Sequence, residues 1–173
     1  MSFVSPYFPL TKKLSAANVA LRGTQASDKL GTIHVDETGN MFKLVQFEVG
    51  GTTFASPENK VFKWHDAATF ETEPVDGNTD RVCGVSKCTE SLASGDYHWL
   101  QISGRCSIVS GDDTANDVTV GEYVRPDNDA DLGKCGSNST TYAEGVAFAR
   151  PITGAGGAAD VTCTVDLIGI LVG

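Results

Sequence analysis

The residues of this chain best suited to chemistry are its cysteines and histidines. Cys83 and Cys88 stand in Cys-Gly-Val-Ser-Lys-Cys, with His98, Cys106, Cys135 and Cys163 downstream. A zinc site wants four ligands in a tetrahedral array, commonly delivered as two close pairs. Only one close pair exists here, and its four-residue spacer is longer than the two-residue spacer of a zinc knuckle, so the pattern implies no bound metal. A Cys83–Cys88 disulfide formed after release into oxidising surroundings is a second reading. Five cysteines are an odd count and imply no full disulfide framework. The default reading makes most of them small buried hydrophobes, and Cys163, between Val161 and Val165, fits it best.

The run Asp127-Asn128-Asp129-Ala130-Asp131-Leu132-Gly133 has the acids of a calcium loop. An EF-hand needs Gly sixth and Glu twelfth, where this chain has Leu132 and Asn138. The bland reading is a solvated acidic turn, with a calcium site of another kind as the alternative. Nucleophilic catalysis has little to build on. No Gly-x-Ser-x-Gly elbow occurs, and His34, His65 and His98 each fall in or beside an expected strand. Gly154-Ala155-Gly156-Gly157 precedes a strand, whereas a phosphate-binding glycine loop opens a helix. Asn138-Ser139-Thr140 is a formal glycosylation sequon without a secretory leader to give it use. The residues predict neither an enzyme nor a cofactor.

Composition narrows the classes further. At 173 residues and 18.2 kDa the chain suits one domain with a proper core. A net charge of −9 disfavours nucleic acid as a partner, because phosphate tracking needs clustered Lys and Arg. Charge is uneven: residues 1–30 carry a net +3 and the remainder −12. No run approaches the ~18 apolar residues of a membrane helix. A soluble protein made in the host cytoplasm is the expectation.

Nineteen glycines with abundant Val, Thr and Phe predict strands. Residues 1–30 read as an N-terminal arm, since Pro6 and Pro9 deny it a regular helix or a central strand. Residues 31–173 read as one body. Its expected strands are 32–36 and 41–49, forming a hairpin over Glu37-Thr38-Gly39-Asn40, then 61–65, 69–75, 81–86, 97–102, 106–109, 118–124, 142–149 and 161–172. Gly95-Asp96 launches the strand at Tyr97, and Gly104 closes it before Cys106. In the last strand Val161, Cys163, Val165 and Leu167 share one face and Thr162, Thr164 and Asp166 the other. The spacing predicts an all-β, antiparallel β-barrel or β-sandwich with an extended N-terminal arm.

Three segments together resemble a family of small head-decoration (capsid cement) proteins of tailed bacteriophages. They are the hairpin Leu30-Gly31-Thr32-Ile33-His34-Val35-Asp36 to Met41-Phe42-Lys43-Leu44-Val45, the strand phrase Ser94-Gly95-Asp96-Tyr97-His98-Trp99-Leu100-Gln101-Ile102-Ser103-Gly104, and Glu144-Gly145-Val146-Ala147-Phe148-Ala149 with its small-residue loop and terminal strand to Gly173. The resemblance covers about two-thirds of the chain through turns and alternation. It implies a virion protein on the outer capsid surface, typically a homotrimer, that bridges subunits of the major capsid protein shell; no membrane partner is expected, for want of an apolar run. The stretch 52–88 departs from the pattern and is read as an insertion.

Contacts to the shell or between copies are expected from Phe3, Tyr7, Phe8, Leu10, Lys12, Lys13, Leu14 and Arg22 in the arm, and from Leu171 in the apolar terminal run. The alternative is a tail, fibre or host-recognition β-domain, with Trp64, Tyr97 and Trp99 stacking on carbohydrate.

Overall fold

The turn after Val35 shows how locally this chain sets its register. One oxygen of Asp36 accepts hydrogen bonds from the Thr38 and Asn40 backbone amides, both at 2.9 Å, and from Thr38 Oγ1 at 2.7 Å. Gly39 supplies the left-handed residue, at φ 86°, that the reversal requires. The turn joins β1 (Ile33–Val35) to β2 (Met41–Phe47), antiparallel with His34 opposite Phe42.

The computed structural model describes residues 9–17, 30–111, 118–127, 132–137, 146–155, 160–168 and 170. The remaining strands are β3 (Val61–Asp66), β4 (Glu71–Pro74), β5 (Val82–Ser86), β6 (Tyr97–Val109), β7 (Val124–Pro126), β8 (Cys135–Ser137), β9 (Ala149–Pro151) and β10 (Thr162–Leu167). The all-β expectation holds. Neighbours run β2-β4-β3-β5-β6, and β6 pairs back on β2, so five strands close a ring. Closure removes the exposed edges that an open sheet would present. The ring is antiparallel except where β2 runs parallel to β4, through Gln46–Glu71 and Phe47–Thr72.

Strand β6 is the axis of the molecule. Its first half pairs with β2 and β5, and its second half pairs with β10, from which β9, β7 and β8 follow. The expectation of two strands separated at Gly104 is therefore corrected to one strand of 13 residues. Ile102 is a bulge residue with no partner on β2, since Ser103 faces Met41 and Gln101 faces Phe42. Gly104 follows at φ 90°. A bulge next to a left-handed glycine bends a strand without ending it. The buried Gln101 side chain holds the bend by donating to the Ser103 and Arg105 carbonyls, at 3.2 and 2.9 Å.

Two large cores result. Val45, Phe47, Phe62, Cys83 and Leu100 fill the ring and continue to Cys88 and Leu92. Val61, Val75, Val82 and Val85, on its outside, meet Cys106, Ile108, Val124, Cys163 and Val165 of the second sheet. Each fully buried side chain of this size contributes about 1.5–3 kcal/mol. The alternation expected for the last strand appears in β10, where Cys163 and Val165 are buried and Thr162 is exposed.

Other expectations shift. Residues 118–123 form turns, with only Val124 entering a strand, while β8, unsuspected in sequence, pairs with β7. The stretch 52–88 supplies β3, β4 and β5, three of the five ring strands, so it is integral to the body.

Candidate functional site

The outer wall of the ring carries an apolar patch made by Phe42 and Leu44 of β2 and Trp99 of β6. Their neighbours Val45 and Leu100 point into the ring, so strand alternation puts these three outside. His34 of β1 lies against two of them, with ring centres 6.4 Å from Phe42 and 6.2 Å from Trp99. Leu10 and Leu14 lie over the patch beside Tyr97.

Residues 9–17 are thus seated on the chain's own body. Leu14 pairs with Tyr97 as an antiparallel bridge, with reciprocal backbone bonds of 2.9 and 2.8 Å. The Thr89 amide donates to the Thr11 carbonyl at 2.9 Å. Lys12 Nζ reaches Glu90 Oε1 at 3.0 Å, and the Lys13 amide donates to Glu90 Oε2 at 3.3 Å. These contacts, the Lys12 hydrogen bond foremost, hold the Glu90 carboxyl below its usual range.

Asp96 is the centre of the seat. It is buried, its Oδ2 accepts from Lys13 Nζ at 2.6 Å and from the Ala93 amide at 2.8 Å, and its Oδ1 accepts from the Ala16 amide at 3.1 Å. A charged hydrogen bond to a buried carboxylate is about twice as strong as a neutral one, so Asp96 is a specific anchor. Sequence reasoning singled out Gly95-Asp96 as a turn and missed that the aspartate binds the arm. The signal available was opposite charge, Lys12-Lys13 against an acidic turn.

Of the expected contact residues, Leu10, Lys12, Lys13 and Leu14 come together in this seat. Phe3, Tyr7, Phe8, Arg22 and Leu171 lie outside the described residues. The arm was expected to need another subunit to lie on; over residues 9–17 its own barrel wall supplies the surface.

The ring interior holds polar groups as well. His98 is fully buried, with Nδ1 3.3 Å from Ser86 Oγ and Nε2 3.4 Å from Thr72 Oγ1. Burial lowers its pKa to about 3. An imidazole so enclosed, with hydroxyls on both nitrogens, is a structural group. Lys43 is also buried, with Nζ 4.8 Å from the Phe70 ring centre and 5.2 Å from that of Trp64, and burial lowers its pKa. Outside the ring, Lys63 Nζ gathers Asp76 at 2.5 Å, Asp80 at 3.1 Å and Glu73 at 3.6 Å.

All five cysteines are buried and unbridged, so the structure contains no Cys83–Cys88 disulfide. Among the described residues no three His, Cys, Asp or Glu side chains converge as a metal site. Asp127 is buried, which corrects the solvated-turn expectation at that position, while Asn128–Asp131 lie outside the described residues. The aromatics considered for carbohydrate do not form a platform. Trp99 is in the core, Tyr97 lies beside Leu14, and Trp64 packs edge-on against Phe70. Among the described residues no helix is long and apolar enough to cross a membrane.

No protein-family model matches the sequence, and no curated protein matches it. Among solved structures, the chain is similar to the N base of head fibre gp8.5 of bacteriophage phi29, with a TM-score of 0.47 and 11% identity over 75% of this chain and 96% of that one. A likeness of that degree carries no inference about this chain.

Proposed function

We propose that this chain is a structural protein of a phage virion, bound to the outer face of the head shell and stabilising it by bridging shell subunits. It acts by binding, with no chemistry of its own. The observation that supports this reading is the way the three family-like segments assemble. Segment 30–45 contains the β1–β2 hairpin, segment 94–104 contains the half of β6 that pairs with β2, and segment 144–173 brings β10 onto the other half of β6, with β9 on the far side of β10. Phrases scattered over the sequence make one continuous strip of sheet. Chance likenesses of turn and alternation carry no requirement to be neighbours in space.

A subunit that binds only the assembled lattice stabilises it by mass action. Repetition around a shell lets modest contacts act together. On this reading Phe3, Tyr7, Phe8, Arg22 and Leu171 touch the shell or a neighbouring copy, and the copies form trimers. The test is to heat phage heads with and without bound protein and measure DNA release. Binding to heads with DNA retained at higher temperature supports the proposal. Absence of binding, or equal DNA loss, overturns it, and binding to host cells instead would transfer the case to a host-recognition domain.

A further inference from the structure

The described lysines divide by what answers their charge. Lys12, Lys13, Lys60, Lys63 and Lys134 each have a carboxylate oxygen within 3.9 Å, and Lys43 lies over two aromatic rings. Lys87, just after β5, has neither among the described residues. Its Nζ donates to the neutral Asn59 Oδ1 at 3.3 Å, the one hydrogen-bond partner it has there. An ammonium carries three donors and is strongly hydrated. Lys87 is half-buried, and the loss of water lowers its pKa, offset only in part by the more distant Glu58 carboxylate.

This side chain lines a cleft of about 370 Å³, at the lower end of the about 300–1,000 Å³ of small-molecule sites. The cleft lies where β6 bends. Leu10 of the seated segment and Phe42 of β2 give it apolar surface, and Gln101 and Arg105 line it from either side of the bend. Its walls are pre-formed. The Gln101 amide nitrogen is held by the Ser103 and Arg105 carbonyls, and the Arg105 guanidinium by Asp166 at 3.0 and 3.4 Å. With Arg105 so engaged, Lys87 is the cation of the cleft that has no counter-charge. We propose that the cleft binds a small organic carboxylate with an apolar body, the carboxylate pairing with Lys87 and the body lying against Leu10 and Phe42. One ammonium matches a monoanion, whereas a doubly charged phosphate would call for a second free cation.

The site is a property of the isolated protein and does not rest on the shell reading. Its test titrates ¹⁵N-labelled protein with phenylacetate and, separately, with phenylacetamide, which has nearly the same shape and no charge, while backbone amide shifts are followed by NMR. Phenylacetate should produce saturable shifts at Phe42, Lys87 and Gln101. It should bind at least about tenfold more tightly than phenylacetamide, the factor that a charged hydrogen bond implies. Lys87→Met should remove that preference. Absence of saturable shifts at the cleft, equal affinity for the acid and the amide, or a preference that survives Lys87→Met would overturn the proposal. The comparison of acid with amide needs the wild-type chain alone, so it decides the matter even if Lys87→Met fails to fold.

Discussion

His98 Nδ1 lies 3.3 Å from Ser86 Oγ inside the closed ring, and both residues are buried. A neutral imidazole is satisfied there, donating from one nitrogen and accepting at the other, whereas an imidazolium would have to be charged away from water.

Acid should therefore destabilise the fold before its carboxylates titrate. The folded pKa of His98 is about 3, below the ordinary value of 6.5. The unfolded chain therefore binds the extra proton first, and stability falls as pH drops below about 6.5. At pH 5 the loss should be about 2 kcal/mol relative to pH 7.5. Urea midpoints measured across this range should show it, and His98→Gln should flatten the dependence. Proton NMR of the wild-type imidazole gives a second reading: titration of the His98 ring near 6.5 in the folded protein would contradict the assignment.

Asp96→Asn should free the segment from its seat while sparing the barrel. The substitution removes the charge opposite Lys13 but leaves both cores untouched. Trypsin cleavage after Lys12 and Lys13 should accelerate several-fold, with the far-ultraviolet circular dichroism unchanged. A rate equal to wild type would mean that the Tyr97 bridge, Glu90 and the apolar contacts of Leu10 and Leu14 hold the segment without Asp96.

Gly104→Ala should cost about 1–3 kcal/mol, the range for backbone strain with overpacking. Its φ of 90° disfavours any side chain, and a Cβ there would lie 2.0 Å from Asn40 Oδ1 and 3.2 Å from Asn40 Cα. Asn40 cannot swing aside freely, because its side chain also bonds Asp36, Thr38 and the Arg105 amide. A melting temperature unchanged from wild type would show that β6 does not need this conformation.

The thiols should be silent until the protein unfolds. Burial raises the Cys106 pKa to about 12 and that of Cys163 to about 11, and it raises Cys83, Cys88 and Cys135 as well. Ellman's reagent at pH 8 should find almost none in the native state and five after denaturation. Mild reduction should leave the fold intact.

Most of the ring was legible because its signals are local. The hairpin announces itself through Asp36, Gly39 and Asn40, and β3, β4 and β5 alternate between turn clusters. What escaped was whatever distant residues decide. Gly104 looks the same in sequence whether it ends a strand or bends one, and one deciding partner, Asn40, accepts from the Arg105 amide across 65 positions of sequence. The short β8, Cys135–Ser137, carries no alternation and exists because β7 presents an edge to it. Lys43 shares the inward face of β2 with Val45 and Phe47, and the rings that receive it, Trp64 and Phe70, come from distant parts of the chain. The seat was half visible: Lys12 and Lys13 were singled out, but their carboxylates lie about eighty positions away.

The passage of β6 through both sheets bears on how the molecule comes apart under load. Pulling β10 away unzips it from Cys106 and Ile108, residues of the same strand whose Trp99 and Leu100 are built into the ring. Tension applied to the second sheet is thus delivered along a covalent backbone into the ring, with no loop between them to take up slack. Neither half can shed β6 and survive, so the two should yield as one cooperative unit. Long-range pairing of this kind makes folding slow, but it leaves no loop between the two sheets at which unfolding would begin.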